Sequence, residues 1–210
     1  MKKPLILIFL ILLTDQIIKI YVKTHFYLGE ETEVLGLSWF KIHFLENKGM
    51  AFGMNFGDTL GKFLLTFVRI AASVFIYIFM RKLVARNENK VIIYSFALIL
   101  AGAAGNIIDS VFYGVLFSSS TFFQVAAFLP EGGGYAPLFF GKVVDMFYFP
   151  LIDTSLPQWL PVVGGRHFSF FDAVFNFSDA AITIGVAMLL IFILVNGKSF
   201  SFKTQTDAEK

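Results

Sequence analysis

Two copies of the pattern Asn-x-x-Asp lie in strongly apolar stretches of the chain, Asn106-Ile107-Ile108-Asp109 and Asn176-Phe177-Ser178-Asp179. A further acid, Asp145, is embedded in Gly141-Lys142-Val143-Val144-Asp145-Met146-Phe147, and Asp15 is followed four residues later by Lys19. A carboxylate in apolar surroundings must be paired, hydrated or protonated, so several of them mark a functional site by default. Burial disfavours charge on an acid, and a second acid nearby makes loss of both protons harder, so one member stays protonated while the other ionises. That state suits amide hydrolysis. The ionised acid takes a proton from water as it attacks the carbonyl, and the protonated acid polarises that carbonyl and later assists the leaving amine. Asp145 and Asp179 are the candidates for such a pair; spacing alone leaves open whether they meet. The absence of cysteine removes thiol nucleophiles, disulfides and thiolate metal sites together. His25, His43 and His167 lack His-Glu-x-x-His spacing, so neither a zinc protease nor any other metal or cofactor is expected.

These residues need a membrane scaffold. With 57% hydrophobic residues, 15% charged residues and a mean hydropathy of +0.73, the 210-residue chain is far too apolar for a soluble domain. The net charge of +2 gives no basis for nucleic-acid binding. Four stretches, about 4–22, 63–80, 91–113 and 173–195, reach the roughly 20 residues that cross about 30 Å of hydrocarbon. Lys2 and Lys3 before the first stretch imitate a secretory signal, but no small-x-small cleavage site follows, and Asp15 and Lys19 interrupt the apolar run. The expected fold is therefore one mainly α membrane domain over 1–210, a four-transmembrane-helix bundle. Outer loops 23–62 and 114–172 complete it, with a small extracytoplasmic β-sheet.

Basic residues set the orientation. With both termini cytoplasmic, the inner segments hold Lys2, Lys3, Arg81, Lys82, Arg86, Lys90, Lys198, Lys203 and Lys210, against Lys23, Lys41, Lys48, Lys142 and Arg166 in the much longer outer loops. In the first outer loop, Phe40, Ile42 and Phe44 alternate with Lys41 and His43, the period of a half-covered strand. Gly132-Gly133-Gly134 and Gly164-Gly165 mark turns in the second.

That orientation places Asp15, Lys19, Arg69, Asp109 and Asp179 together in the outer part of the bilayer, with Asp179 roughly 10 Å inside its span at 1.5 Å of rise per residue. Asp15 and Lys19 share a helix face in the favourable acid-before-base order. Each Asn of the two Asn-x-x-Asp motifs can solvate the Asp three residues later on its own face, and Arg69 is a candidate cation for Asp109.

In order along nearly the whole chain, these motifs resemble the bacterial lipoprotein signal peptidase (signal peptidase II) family. They read Thr14-Asp15-Gln16 with Lys19, Asn47-Lys48-Gly49-Met50-Ala51-Phe52-Gly53, Ala101 to Asp109 through Gly105 and Asn106, Val143-Val144-Asp145-Met146, and Phe175-Asn176-Phe177-Ser178-Asp179-Ala180-Ala181. The resemblance implies an aspartic endopeptidase of the bacterial inner membrane, with its active site near the outer face. It would remove the signal peptide from a prolipoprotein whose cysteine carries diacylglycerol, cutting on the amino side of that cysteine among membrane lipids. By motif position Asp145 and Asp179 match the catalytic dyad. Asp15, Lys19, Asn47, Gly49, Gly105, Asn106, Asp109, Asn176 and Ala180 match supporting or substrate-binding positions, and Arg69 is added as their candidate cation. Two departures stand out: Ser110 occupies the place of the family's usual arginine, and residues 115–141 form an insertion if Gly141 is the glycine that normally precedes Val-Val-Asp. The aromatic run Thr121-Phe122-Phe123-Gln124-Val125 and the three glycines suit either an apolar flap or a surface elaboration.

Simpler readings exist for the parts. Asp15 and Lys19 also suit a structural pair, Gly102 and Gly105 close helix packing, and Ser118-Ser119-Ser120 plain loop polarity. A proton- or ion-coupled transporter would also use membrane carboxylates, but the acids cluster near one face instead of forming a path across. A non-enzymatic receptor for lipidated precursors fits the apolar loops and leaves the acids unexplained.

Overall fold

The structure, a computed structural model, describes residues 1–47, 60–155 and 157–196. Four helices are long and apolar enough to cross a membrane: α1 (Lys2–His25), α2 (Leu60–Ala85), α3 (Lys90–Ile108) with its continuation to Leu116, and the last helix, α5 (Phe177–Asn196). The continuation of α3 is a π-helical turn, Asp109–Tyr113, followed by a short α4 (Gly114–Leu116). The described residues also hold six strands: β1 (Glu31–Val34), β2 (Leu37–Asn47), β3 (Val143–Tyr148), β4 (Ile152–Ser155), β5 (His167–Phe170) and β6 (Val174–Phe175).

The helices reverse the polarity expected in water. Ile8, Ile11, Asp15, Lys19 and Val22 recur at helical spacing and form the buried stripe of α1, while Phe9, Leu10, Leu13 and Ile17 are exposed. Polar groups therefore turn inward and the apolar side chains outward, as in a lipid-facing helix.

Packing groups the described chain into two compact units. The first comprises residues 1–16, 60–108 and 177–196. Its core joins Ile8 and Ile11 to Met80, Ala97, Leu100, Ala101 and Ala181. Glycines let α3 and α5 approach closely: a Cβ on Gly102 would lie 2.2 Å from the carbonyl oxygen of Ser178, and one on Gly185 would lie 2.7 Å from that of Ser95.

The second unit comprises residues 17–47, 109–155 and 157–176. It holds an antiparallel sheet in the order β1-β2-β3-β6 and a separate β4-β5 pair. The alternation expected around Phe40 to Phe44 is β2, and Leu45 stands opposite Asp145 in its register with β3. Val174 and Phe175 pair with Tyr148 and Phe147, so the last span starts at Phe177 instead of near residue 173. A short apolar run reads equally as strand or helix until its partner is known.

Residues 115–141 make a closed excursion in this unit. Gly141 donates its N–H to the Ser110 oxygen, and a Cβ there would lie 2.1 Å from the Asp109 oxygen and 2.9 Å from the Gly114 nitrogen. The segment is pinned along its length: Leu129 N–H bonds to Leu116 O, Tyr135 N–H to Phe117 O, and Ala136 N–H to Gly114 O. Phe117 is fully buried between Tyr113 and Phe128.

Candidate functional site

In the first unit the N-terminus of α5 gathers two acids. Helix starts expose unsatisfied N–H groups and a partial positive charge. Asp15 accepts the backbone N–H of Ser178 at 2.9 Å and the side-chain amide of Gln16 at 3.0 Å, and it is fully buried. Asp179 lies in the first turn of α5, half-buried, and accepts the Asn106 amide at 2.8 Å. The helix starts later than the hydropathy suggested, which puts Asp179 in its first turn. Gly105 is required here: a Cβ would fall 2.0 Å from Ser178 Oγ and 2.7 Å from Asp15 Oδ2. Ala180 is half-buried beside Asp179, and Arg69 is half-buried on α2.

In the second unit Asp145 sits within β3, 6% exposed, and accepts the Asn176 amide at 2.7 Å. Asn176 precedes α5 and is itself fully buried. Asp109 and Lys19 form an ion pair of 2.8 Å with both side chains wholly buried, and the N–H of Val144 reaches Asp109 Oδ2 at 3.3 Å. Ser110, in the place of the expected arginine, is buried in the π-helical turn, which Gly141 meets through backbone hydrogen bonding.

The two amides also serve acids outside their own three-residue spacing. Asn106 serves Asp179 of the other motif, and Asn176 serves Asp145. The chain turns from β6 into α5 between Asn176 and Asp179, so the two do not start on one helical face as the three-residue spacing implied. Lys19, four residues after Asp15 on α1, sends its ammonium to Asp109.

A cleft of about 520 Å³ opens beside Asp145, with Glu46 and Asn47 at the end of β2 on its wall. Gly49 lies outside the described residues. Behind this wall is a polar cluster that sequence reasoning missed. Glu46 pairs with Lys23 and with Lys142 at 2.8 Å, and Ser120 bonds both Glu46 and Lys23 at 3.0 Å. Ser120 is 5% exposed and joins the 115–141 segment to α1 and β2, so it is not plain loop polarity. Burial pushes Glu46 toward its neutral form, but the two lysines outweigh it and hold its pKa below the ordinary carboxylate value. Tyr135, whose hydroxyl accepts the Lys142 N–H at 2.6 Å, has its pKa raised by burial. The four-residue steps from Asp15 to Lys19 to Lys23 were the available signal, since they put Lys23 on the buried face.

Fold and site together define a small four-span membrane protein with amide-held carboxylates in each compact unit. Its architecture is similar to two solved structures of bacterial membrane enzymes obtained by the in meso method. One, at 2.3 Å resolution, aligns with a TM-score of 0.58 and 20% identity over 98% of this chain and 96% of that one. The other, at 1.9 Å, aligns with a TM-score of 0.56 and 22% identity over 92% and 94%. The family model described as Signal peptidase (SPase) II matches residues 7–195, and the chain belongs to that family. Among curated relatives, a lipoprotein signal peptidase of Porphyromonas gingivalis is 50% identical over 88% of this chain and 80% of its own length. One from Amoebophilus asiaticus is 37% identical over 84% and 71%. The chain is thus a membrane protease, and the transporter and receptor readings are set aside.

Proposed function

We propose that the chain cleaves by an aspartic mechanism with Asp145 and Asp179 as its two acids. As a signal peptidase II it removes the signal peptide from prolipoproteins. The finer reading is that the precursor carries diacylglycerol on its cysteine, that the cut falls on the amino side of that cysteine, and that membrane lipids surround the reaction. The protein works in the bacterial inner membrane with both termini cytoplasmic and its catalytic groups toward the outer face, consistent with the bias in basic residues.

The carrying observation is that the motif Asn176-Phe177-Ser178-Asp179 supplies both an acid and the amide that binds Asp145 at 2.7 Å. An amide N–H can donate to a carboxylate or to the carbonyl oxygen of a carboxylic acid. Asn106 and Asn176 therefore orient the acids without dictating which one holds the proton. One acid, ionised, takes a proton from the attacking water; the other, protonated, polarises the scissile carbonyl and then protonates the departing amine. The deciding experiment measures cleavage of a diacylated and an unlipidated precursor by purified wild type, Asp145→Asn and Asp179→Asn. Cleavage by wild type of the diacylated form, lost in both variants, is expected. Near-normal turnover in either variant would remove that residue from the chemistry.

A further inference from the structure

We infer that the loop closing the β4–β5 hairpin, Trp159 to Val163, enters the headgroup region of the bilayer's outer leaflet and anchors the sheet-bearing unit there. The two strands form a sheet of their own, with Ser155 opposite His167, apart from the four-stranded one. Between them Trp159 is 79% exposed and Val162 88%. From Thr154 to Gly165 the chain has no charged residue. An uncharged apolar run held outward on a membrane protein is suited to meeting lipid.

The loop is built for that medium. Lipid offers no partner to a backbone amide, so a segment entering it must satisfy its own. Leu160 donates its N–H to the Pro157 oxygen at 3.1 Å, Gly164 to the Leu160 oxygen at 3.0 Å, and Arg166 to the Val163 oxygen at 3.1 Å. Pro157 and Pro161 have no N–H to satisfy. The winding is tight: a Cβ on Gly164 would stand 2.6 Å from the Gln158 oxygen and 2.7 Å from the Leu160 oxygen. Val162 sits at φ +72, which is costly for a β-branched residue and suits asparagine or glycine. A turn that met only water would gain from a polar residue there; valine adds apolar surface instead.

A bilayer fits this loop better than a polypeptide does. A bound peptide strand needs free backbone groups along an edge, and the amides of Leu160 and Gly164 are turned to the loop's own oxygens. Tryptophan favours the boundary of hydrocarbon and water, where its ring is covered and its N–H stays wet. Arg166, exposed directly behind the loop, matches the charge of lipid phosphates. Only Phe171 to Asn176 separate the end of β5 from α5, which is long and apolar enough to cross the membrane. The inference rests on the orientation proposed above, because the hairpin meets the outer leaflet only with both termini cytoplasmic.

The test uses the full-length enzyme in phosphatidylcholine–phosphatidylglycerol vesicles, with Trp39→Phe so that Trp159 is the sole tryptophan. Its emission is read against aqueous iodide and against phospholipids brominated at a shallow or a deep acyl position. Shallow bromine should quench about twofold more than deep bromine, and iodide about threefold less than it quenches free tryptophan. Val162→Asn in this background should about halve the lipid quenching without lowering the unfolding midpoint, because asparagine accepts the left-handed backbone that valine resists. Iodide quenching like that of free tryptophan, quenching dominated by deep bromine, or lipid quenching unchanged by Val162→Asn would overturn the inference. So would shielding that appears only when a diacylated precursor is added, which would make the partner a polypeptide. Orientation is read separately, in a chain without native cysteine. A membrane-impermeant maleimide on intact cells should label Thr154→Cys and not Lys90→Cys. The reverse labelling sinks the orientation, whereas the expected labelling with an unshielded Trp159 sinks only the role of the hairpin.

Discussion

Four acids of this protein are met by two kinds of donor, and under the proposed aspartic mechanism the contrast bears on which of them can exchange protons. Asp109 and Glu46, in the unit built around the sheet, face lysine ammonium groups in buried surroundings. Asp145 in that same unit, and Asp179 in the helical unit, each accept a neutral asparagine amide. An ammonium favours only the ionised acid and so fixes its charge, while an amide tolerates either protonation state. A group that must gain and lose a proton in every turnover belongs in the second setting; one that holds loops together belongs in the first.

Breaking the amide-held side should have the largest effect. Asp145→Asn and Asp179→Asn keep size and shape but remove proton transfer, so each should reduce kcat by about a thousandfold or more. If the acids act as a unit, as the proposed mechanism requires, the double variant should be little worse than either single one. Single-turnover assays would measure this, with unfolding midpoints close to wild type expected for both variants. Multiplying losses in the double variant would instead mean that the two residues act independently.

On the cation-held side the expected loss is in stability. Lys19→Met leaves Asp109 buried without its ammonium, which costs about 3–5 kcal/mol when a buried pair is broken from one side. Lys19→Met with Asp109→Asn removes both charges, and the Asn oxygen can still accept the Val144 N–H, so most of the loss should return. Thermal unfolding in one detergent would read the difference, and a double variant no more stable than the single one would show that the charge of Asp109 is not the source.

What the sequence made legible follows from range. The four spans were readable because hydropathy is a local sum, and β2 because alternation of Phe40, Ile42 and Phe44 is local too. The start of α5 was not, because Val174 and Phe175 are apolar in either conformation and only their pairing with β3 makes them a strand. Pairing of Asn106 with Asp179 spans 73 positions, which no helical periodicity reports. Residues 115–141 stood apart in the sequence by their aromatic run and three glycines, but their attachment through Ser120, Lys23 and Glu46 depends on three separated segments meeting.

Close packing gives a smaller, local test in the helical unit. Gly105→Ala would put a methyl 2.0 Å from Ser178 Oγ and 2.7 Å from Asp15 Oδ2, so the start of α5 must shift. Overpacking of this kind costs about 1–3 kcal/mol. Activity should fall along with the unfolding midpoint, since Asp179 lies in that same first turn. Restoration by Ser178→Gly, which removes the obstructing hydroxyl, would tie the defect to this contact; the same loss with and without Ser178→Gly would assign it elsewhere.

The gentlest test of the cation-held side is pH. Glu46 loses solvation on burial but is held ionised by Lys23 and Lys142, so its folded pKa lies below the ordinary value of 4.5. A depressed carboxylate pKa means that the unfolded chain binds a proton more readily than the folded one. The stabilisation is therefore present above about pH 4.5 and fades as pH falls through the lower folded value. Glu46→Gln removes this titration while keeping the side chain's shape, so it should lower stability at neutral pH and flatten the acid limb of the unfolding midpoint between pH 5 and 3, ranges set by general carboxylate behaviour at about these values. Hydrogen exchange at Ser118 and Ala126, whose N–H groups bond to Ala127 and Lys23, would report whether the inserted segment loosens with it. Parallel acid limbs in wild type and variant would mean that Glu46 does not couple that segment to protonation.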